Sequence, residues 1–238
     1  SMKKGWNGNF EAGYGNGDRY RAKGMANRFK DKMNLSINGT ANDNGINSNQ
    51  RIGVNYSQNT QKLKYGGSIE IRENQRDSWS KRHTESFLSD NTSQFSQQNN
   101  QSNGKTDAIS GNFRFEWKID SLTTIMYRPS VNFSKGNSNS RSFSETLNNE
   151  LIPINQKETT NRQTNDRFST NGSLQFNRKL NSKGRNIALR LYYNLDNGNS
   201  DRYSLANTYY LKYGDSIKVQ NQWIDNLNQN NEYRVQLT

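Results

Sequence analysis

The chain has 238 residues, 29% of them hydrophobic, and a mean hydropathy of −1.19. Typical globular domains hold about 45–50% apolar residues, glycine included, so the composition argues against a large conventional core, and the absence of cysteine excludes a disulfide framework or a thiolate metal site. The formal net charge of +12 fits a solvated basic surface, a polyanion partner or nearby anionic lipid headgroups. No apolar run reaches the length of a transmembrane helix.

Such a polar composition suggests disorder, but a two-residue rhythm runs through the chain and argues for strands. Trp6, Gly8, Phe10, Ala12 and Tyr14 alternate with Asn7, Asn9, Glu11 and Gly13. Gly15-Asn16-Gly17-Asp18 then reads as a tight turn. Arg19 to Phe29 is strand-like with ambiguous facing, and a short turn follows at Asp31. Met33, Leu35, Ile37, Gly39 and Ala41 mark the next strand, and Asn42 to Gln50 reads as a polar loop. Ile52, Val54 and Tyr56 form one apolar row, and Leu63, Tyr65, Gly67, Ile69 and Ile71 form another, joined by the short Asn59–Lys62 connection. Asn74 to Thr106, which contains SQFSQQNNQSNGKT, is expected to be a long loop.

The clearest strand is ISGNFRFEWKID, Ile109 to Asp120, with an aromatic parity and a charged parity. After the short Asp120-Ser121 connection come Ile125, Tyr127, Pro129, Val131 and Phe133. Pro129 lacks a ladder donor and predicts a bulge or a strand above the apolar band. Lys135 to Thr164 reads as a second long loop, followed by Phe168, Thr170, Gly172, Leu174 and Phe176. A short turn at 181–184 leads to Ile187, Leu189, Leu191, Tyr193 and Leu195. Asp196 to Val219 reads as a third long loop, and Tyr233, Val235 and Leu237 end the chain. The expectation is an all-β, antiparallel up-and-down meander of about ten strands with no helix.

Long and short connections fall at opposite ends of such a meander, which describes part of a transmembrane β-barrel of the outer-membrane type. The bilayer then covers the oily parity and replaces the missing core; each strand needs only about 9–11 tilted residues in the apolar band. Phe113, Phe115, Trp117, Ile187, Leu189, Leu191 and Tyr193 are the lipid-facing candidates. Trp6, Tyr14, Tyr56, Tyr127, Phe133 and Phe168, with Trp117 and Tyr193, suit an interfacial aromatic girdle. Glu11, Arg51, Lys64, Glu70, Arg72, Arg114, Glu116, Lys118, Arg128 and Arg190 are the lumen-facing candidates. The long loops, with Trp79, Phe87, Phe95, Phe143, Tyr203, Tyr209 and Tyr210, are the expected places of substrate capture outside the cell.

No catalytic, metal or cofactor site is legible. His83 stands alone in a polar stretch, and Glu70 and Glu73 lie on opposite parities, so they point apart. Gly13-Tyr14-Gly15-Asn16-Gly17 lacks the Gly-Lys-Ser/Thr and the helix of a phosphate loop and reads as a hairpin tip. The opening Ser1-Met2-Lys3-Lys4 has no apolar signal-peptide region.

The opening segment KKGWNGNFEAGYG, Lys3 to Gly15, resembles the plug-to-barrel junction of TonB-dependent outer-membrane receptors. NLSINGTANDNG, Asn34 to Gly45, and NEYRVQLT, Asn231 to Thr238, are similar in character to strands of that family. The resemblance implies that residues 1–238 are the first part of a barrel of roughly 22 strands, with a plug domain before it and further strands after it. It implies an energy-coupled importer of a nutrient such as a siderophore or a glycan, in the outer membrane of a Gram-negative bacterium. Its partners would be outer-membrane lipid, the plug, an energy-coupling protein and a surface lipoprotein, with no enzyme activity and no nucleic acid. The alternative is a soluble β-rich protein that holds a polyanion or carbohydrate on a basic, aromatic face.

Overall fold

A computed structural model describes residues 4–88, 93–181, 184–211 and 216–238. Ser1 to Lys3 of the opening segment, Ser182 and Lys183 of the turn at 181–184, and residues 89–92 and 212–215 of the expected loops lie outside the described residues. The strands are β1 (Lys4–Tyr14), β2 (Tyr20–Lys30), β3 (Met33–Asp43), β4 (Asn47–Asn59), β5 (Leu63–Phe87), β6 (Ser93–Lys118), β7 (Thr123–Leu147), β8 (Pro153–Lys179), β9 (Asn186–Tyr210) and β10 (Ser216–Leu237). They form one antiparallel ten-stranded sheet in chain order, the expected up-and-down meander. β1 and β10 each keep one edge without a partner strand, so the sheet is not closed.

Turn chemistry sets the register. After β1, the Gly15 amide donates to the Arg19 carbonyl at 2.7 Å, with Gly17 and Asp18 in the left-handed region at φ 72° and 59°. Asn44 Oδ1 accepts from the Ile46 and Asn47 amides at 3.0 and 2.7 Å. Asp120 Oδ1 accepts from the Leu122 and Thr123 amides at 2.7 and 2.6 Å, and Asn148 Oδ1 from the Glu150 and Ile152 amides at 3.0 and 2.8 Å. In the three turns at Asn44, Asp120 and Asn148 a short side-chain acceptor replaces a backbone carbonyl and closes the reversal.

The polar stretches read as loops are strands. Asn74 to Phe87 and Ser93 to Thr106 are the outer halves of β5 and β6, in unbroken register from Leu63↔Trp117 to Phe87↔Ser93. Lys135–Thr164 becomes the outer half of the β7–β8 hairpin, 196–210 and 216–219 belong to the outer halves of β9 and β10, and of 42–50 only 44–46 lies outside a strand. Side-chain polarity does not alternate here because neither face carries an apolar surface. The backbone ladder persists regardless, with cross-strand bonds such as Ser78 Oγ to Ser102 Oγ at 2.8 Å and Asn161 Nδ2 to Ser140 Oγ at 3.2 Å.

Pro129 makes no bulge and does not lie above the apolar band. Register is the same on both sides of it, from Asn112↔Ser130 to Phe115↔Tyr127. Only the pairs of Phe113 and Arg114 with β7 are missing, while pairing with β8 runs unbroken through Pro129↔Gly172. The nitrogen without a hydrogen therefore faces β6. The register shift in β7 falls elsewhere, between Thr146 and Leu147.

The sheet is a single layer. Among the described residues the buried hydrophobic ones are Ala108, Leu147 and Ala206, and no large side chain is fully buried. Backbone pairing holds the molecule together, and an extended apolar surface is left uncovered.

Candidate functional site

Antiparallel partners share a face, so the register sorts every strand residue onto one side or the other. One row runs Phe10, Gly24, Gly39, Ile52, Ile71, Ile109, Phe133 and Phe168 across β1 to β8. Another runs Leu63, Trp117, Ile125, Phe176, Leu189 and Leu237 across β5 to β10. Between these rows the apolar stretch occupies nine residues in each of four strands: Leu63–Ile71, Ile109–Trp117, Ile125–Phe133 and Phe168–Phe176. Phe113, Phe115, Trp117, Ile187, Leu189, Leu191 and Tyr193 all lie on this face, with Phe113 and Trp117 each 43% exposed.

The band has a sharp upper limit. The next row on the same face is Glu73, Asp107, Lys135 and Asp166, four charged residues in direct register. Lys105 Nζ lies 2.8 Å from Glu73 and 3.8 Å from Asp107. β2 was ambiguous because its sides are mixed: Ala22 and Ala26 share the apolar face with Arg28, while Met25 and Phe29 face the other way. Arg28 is accommodated by stacking, its guanidinium carbon 5.2 Å from the centre of the Trp6 ring.

The opposite face carries the charge. Glu11, Arg51, Lys64, Glu70, Arg72, Arg114, Glu116, Lys118, Arg128 and Arg190 all fall on it. The register adds Arg21 and Lys23 in β2, Arg76 and Arg82 in β5, Lys157, Arg167 and Lys179 in β8, Arg202 in β9, and Lys218 and Arg234 in β10. The acids added are Asp196 and Glu232. Among the described strand residues, seventeen cations thus meet five carboxylates on this one face, an excess of twelve positive charges. Sequence reading missed these added cations where they sit in stretches read as loops (Arg76, Arg82, Lys157, Arg202, Lys218) or in the ambiguous β2. The signal that finds them is parity, counted outward from the apolar band.

Four of the five carboxylates are spent on pairing. Arg51 Nη2 donates to Glu70 Oε2 at 2.5 Å, Arg234 Nη2 to Glu232 at 2.7 Å, and Arg167 pairs with Asp196 through both its Nε and Nη2. Glu116, 7% exposed, takes Lys64 Nζ at 3.1 Å and Arg114 Nη2 at 2.9 Å. Glu70 and Glu73 diverge as their parities require, one to Arg51 and the other to Lys105. His83 stacks on Phe95 at 6.0 Å between ring centres, on the same face as the apolar band but beyond it. Among the described residues no cluster of His, Cys, Asp or Glu could hold a metal ion.

Compared with known protein families, with curated proteins and with solved structures, the chain matches none.

Proposed function

We propose that this sheet is part of the wall of a transmembrane β-barrel in a Gram-negative outer membrane, and that the barrel is an energy-coupled nutrient importer. The observation that carries the barrel reading is the nine-residue apolar band on one face of a sheet that has no core. A protein-covered sheet would bury Phe113 and Trp117; here hydrocarbon is the cover. Nine residues match the tilted span of a bilayer-crossing strand. The charged row at Glu73, Asp107, Lys135 and Asp166 suits the level where headgroups begin. The cationic face then borders a wet lumen.

The inclination of the band supports the same reading. Its upper limit descends eight register positions between Tyr14 in β1 and Tyr233 in β10, nine strands away. At about 3.3 Å per residue and about 4.8 Å per strand, a level membrane needs strands tilted by about 30°, close to the roughly 35–45° of barrels. Closure would occur at the free edges of β1 and β10, because unpaired backbone groups cannot face lipid. Import, energy coupling, the plug and a surface lipoprotein partner rest on the resemblance of the segment Lys3 to Gly15.

The second reading, a soluble binder of polyanions, is favoured by the excess of cations over carboxylates on one face of the sheet. It leaves the apolar face bare in water, which makes it the weaker reading. Flotation decides between the two. The chain refolded in detergent and mixed with phospholipid vesicles is expected to rise with the vesicles and to resist alkaline extraction. A protein that stays monomeric in detergent-free buffer and remains at the bottom of the gradient overturns the barrel reading.

A further inference from the structure

The cationic face contains a cleft of about 730 Å³ centred on Gly66. Asn55 and Ser57 of β4, Lys64 and Ser68 of β5, and Asn112 and Arg114 of β6 line it. Its floor is obligatory: a Cβ built on Gly66 would stand 2.5 Å from the Tyr56 carbonyl oxygen and 2.9 Å from Ser57 Cα, both backbone atoms. No side chain can occupy the spot without moving the β4–β5 ladder.

The polar groups around this hollow are sorted by charge. Glu116 is the base of the arrangement, holding Lys64 on one oxygen and Arg114 on the other. One carboxylate thus positions two cations, and the side chains of Arg114 and Lys64 stay 56% and 40% exposed. Arg128 lies across from Arg114 in the register that runs from Asn112↔Ser130 to Phe115↔Tyr127, and adds a further positive charge beside the cleft. The remaining wall is amide and hydroxyl. Asn112 Nδ2 donates to Ser68 Oγ at 2.7 Å, which leaves the Asn112 carbonyl oxygen and the Ser68 hydroxyl proton to meet a ligand.

We propose that this cleft binds a small hydroxylated anion, its carboxylate or phosphate held by Arg114 and Lys64 and its hydroxyls by the amide and hydroxyl wall. Guanidinium and ammonium groups held by one buried acid supply the charge-assisted bonds, while Asn and Ser accept and donate to neutral oxygens. The inference deepens the barrel reading and rests on it, since it treats this face as the wet side of the wall.

The test uses the whole chain refolded in detergent, titrated calorimetrically with glucose 6-phosphate, gluconate and glucose, and with inorganic phosphate. Glucose 6-phosphate or gluconate is expected to bind at least tenfold tighter than glucose, and tighter than inorganic phosphate. The stronger of the two identifies the anionic group. Arg114→Gln, and Ser57→Leu, which fills the hollow, should each weaken that binding at least tenfold. Lys135→Gln, on the opposite face, should leave it unchanged. Equal affinity for the sugar and its anions, binding no tighter than that of inorganic phosphate, or binding indifferent to both cleft variants overturns the proposal. Vesicle flotation of the same preparation is read separately: its failure removes the barrel reading and leaves the binding result standing on its own.

Discussion

Arg51 and Arg72 are direct cross-strand partners on the cationic face, and Glu70 pairs with the first of them only. Like charges placed opposite each other oppose strand pairing, whereas an opposite pair contributes about 0.2–1 kcal/mol. Arg72→Glu is therefore expected to raise the free energy of denaturant unfolding in detergent by about 0.2–1 kcal/mol; an unchanged or lowered value would show that Arg51 does not feel its neighbour. Asp120 makes a different residue-scale case. The Leu122 amide, followed by the Thr123 amide and hydroxyl, holds its carboxyl below the ordinary aspartate range. Its lowered folded value means that the stabilisation is present above the unfolded aspartate pKa and is lost as pH falls through the folded one. Asp120→Ala should thus be less stable than the parent at pH 7, and the gap should close on acidification below the usual aspartate range. A gap that stays constant down to the acid limit would mean that the turn is held by its backbone alone.

At the scale of the element, the long hairpins separate what sequence can announce from what it cannot. Ile109 to Ile119 announces a strand because one face meets apolar surroundings and the other water, and the residues record that contrast at every second position. Asn74 to Phe87 meets water on both faces, so nothing in its side chains records the pleat, yet it pairs with β6 residue by residue. Apolar parity thus marked nine of the ten strands and sorted their residues into two faces, but left β2 ambiguous and the strand ends unmarked. Pro129 misled for a related reason: its missing donor matters only towards β6, and which neighbour a residue bonds to is a property of register. The cleft at Gly66 was equally illegible, because it depends on the Tyr56 carbonyl lying 2.5 Å from where a Cβ would be. Hydrogen exchange checks the hairpins. Backbone amides between Asn74 and Ser86 that bond to β6 should exchange far more slowly than those of an open loop, as should their partners between Gln94 and Thr106. Exchange at open-loop rates throughout both segments would return them to loops.

The whole molecule poses the question of what covers its apolar side, and depth along one strand can answer it. Val131 in β7 lies inside the apolar band, one row below its upper limit at Phe133, and is 44% exposed in the sheet alone. Asn137 lies on the same face of the same strand, one row above the level of Lys135 and Asp166. If water covered both positions, replacing either with arginine would move an exposed side chain into the same solvent, and the two costs would be alike and small. If hydrocarbon covers the band, arginine near mid-depth costs about 2–4 kcal/mol and arginine near the interface about 0–1 kcal/mol. Val131→Arg, placed between those two depths, should therefore lower the refolding free energy in phospholipid bilayers by more than Asn137→Arg, which should cost about 1 kcal/mol or less. The same pair measured on the cationic face, Ser130→Arg and Asn132→Arg, adds charge to a wet side and should show no such dependence on depth. Equal, small effects at Val131 and Asn137 in bilayers would mean that lipid does not touch this face, whatever the spacing of its aromatic rows.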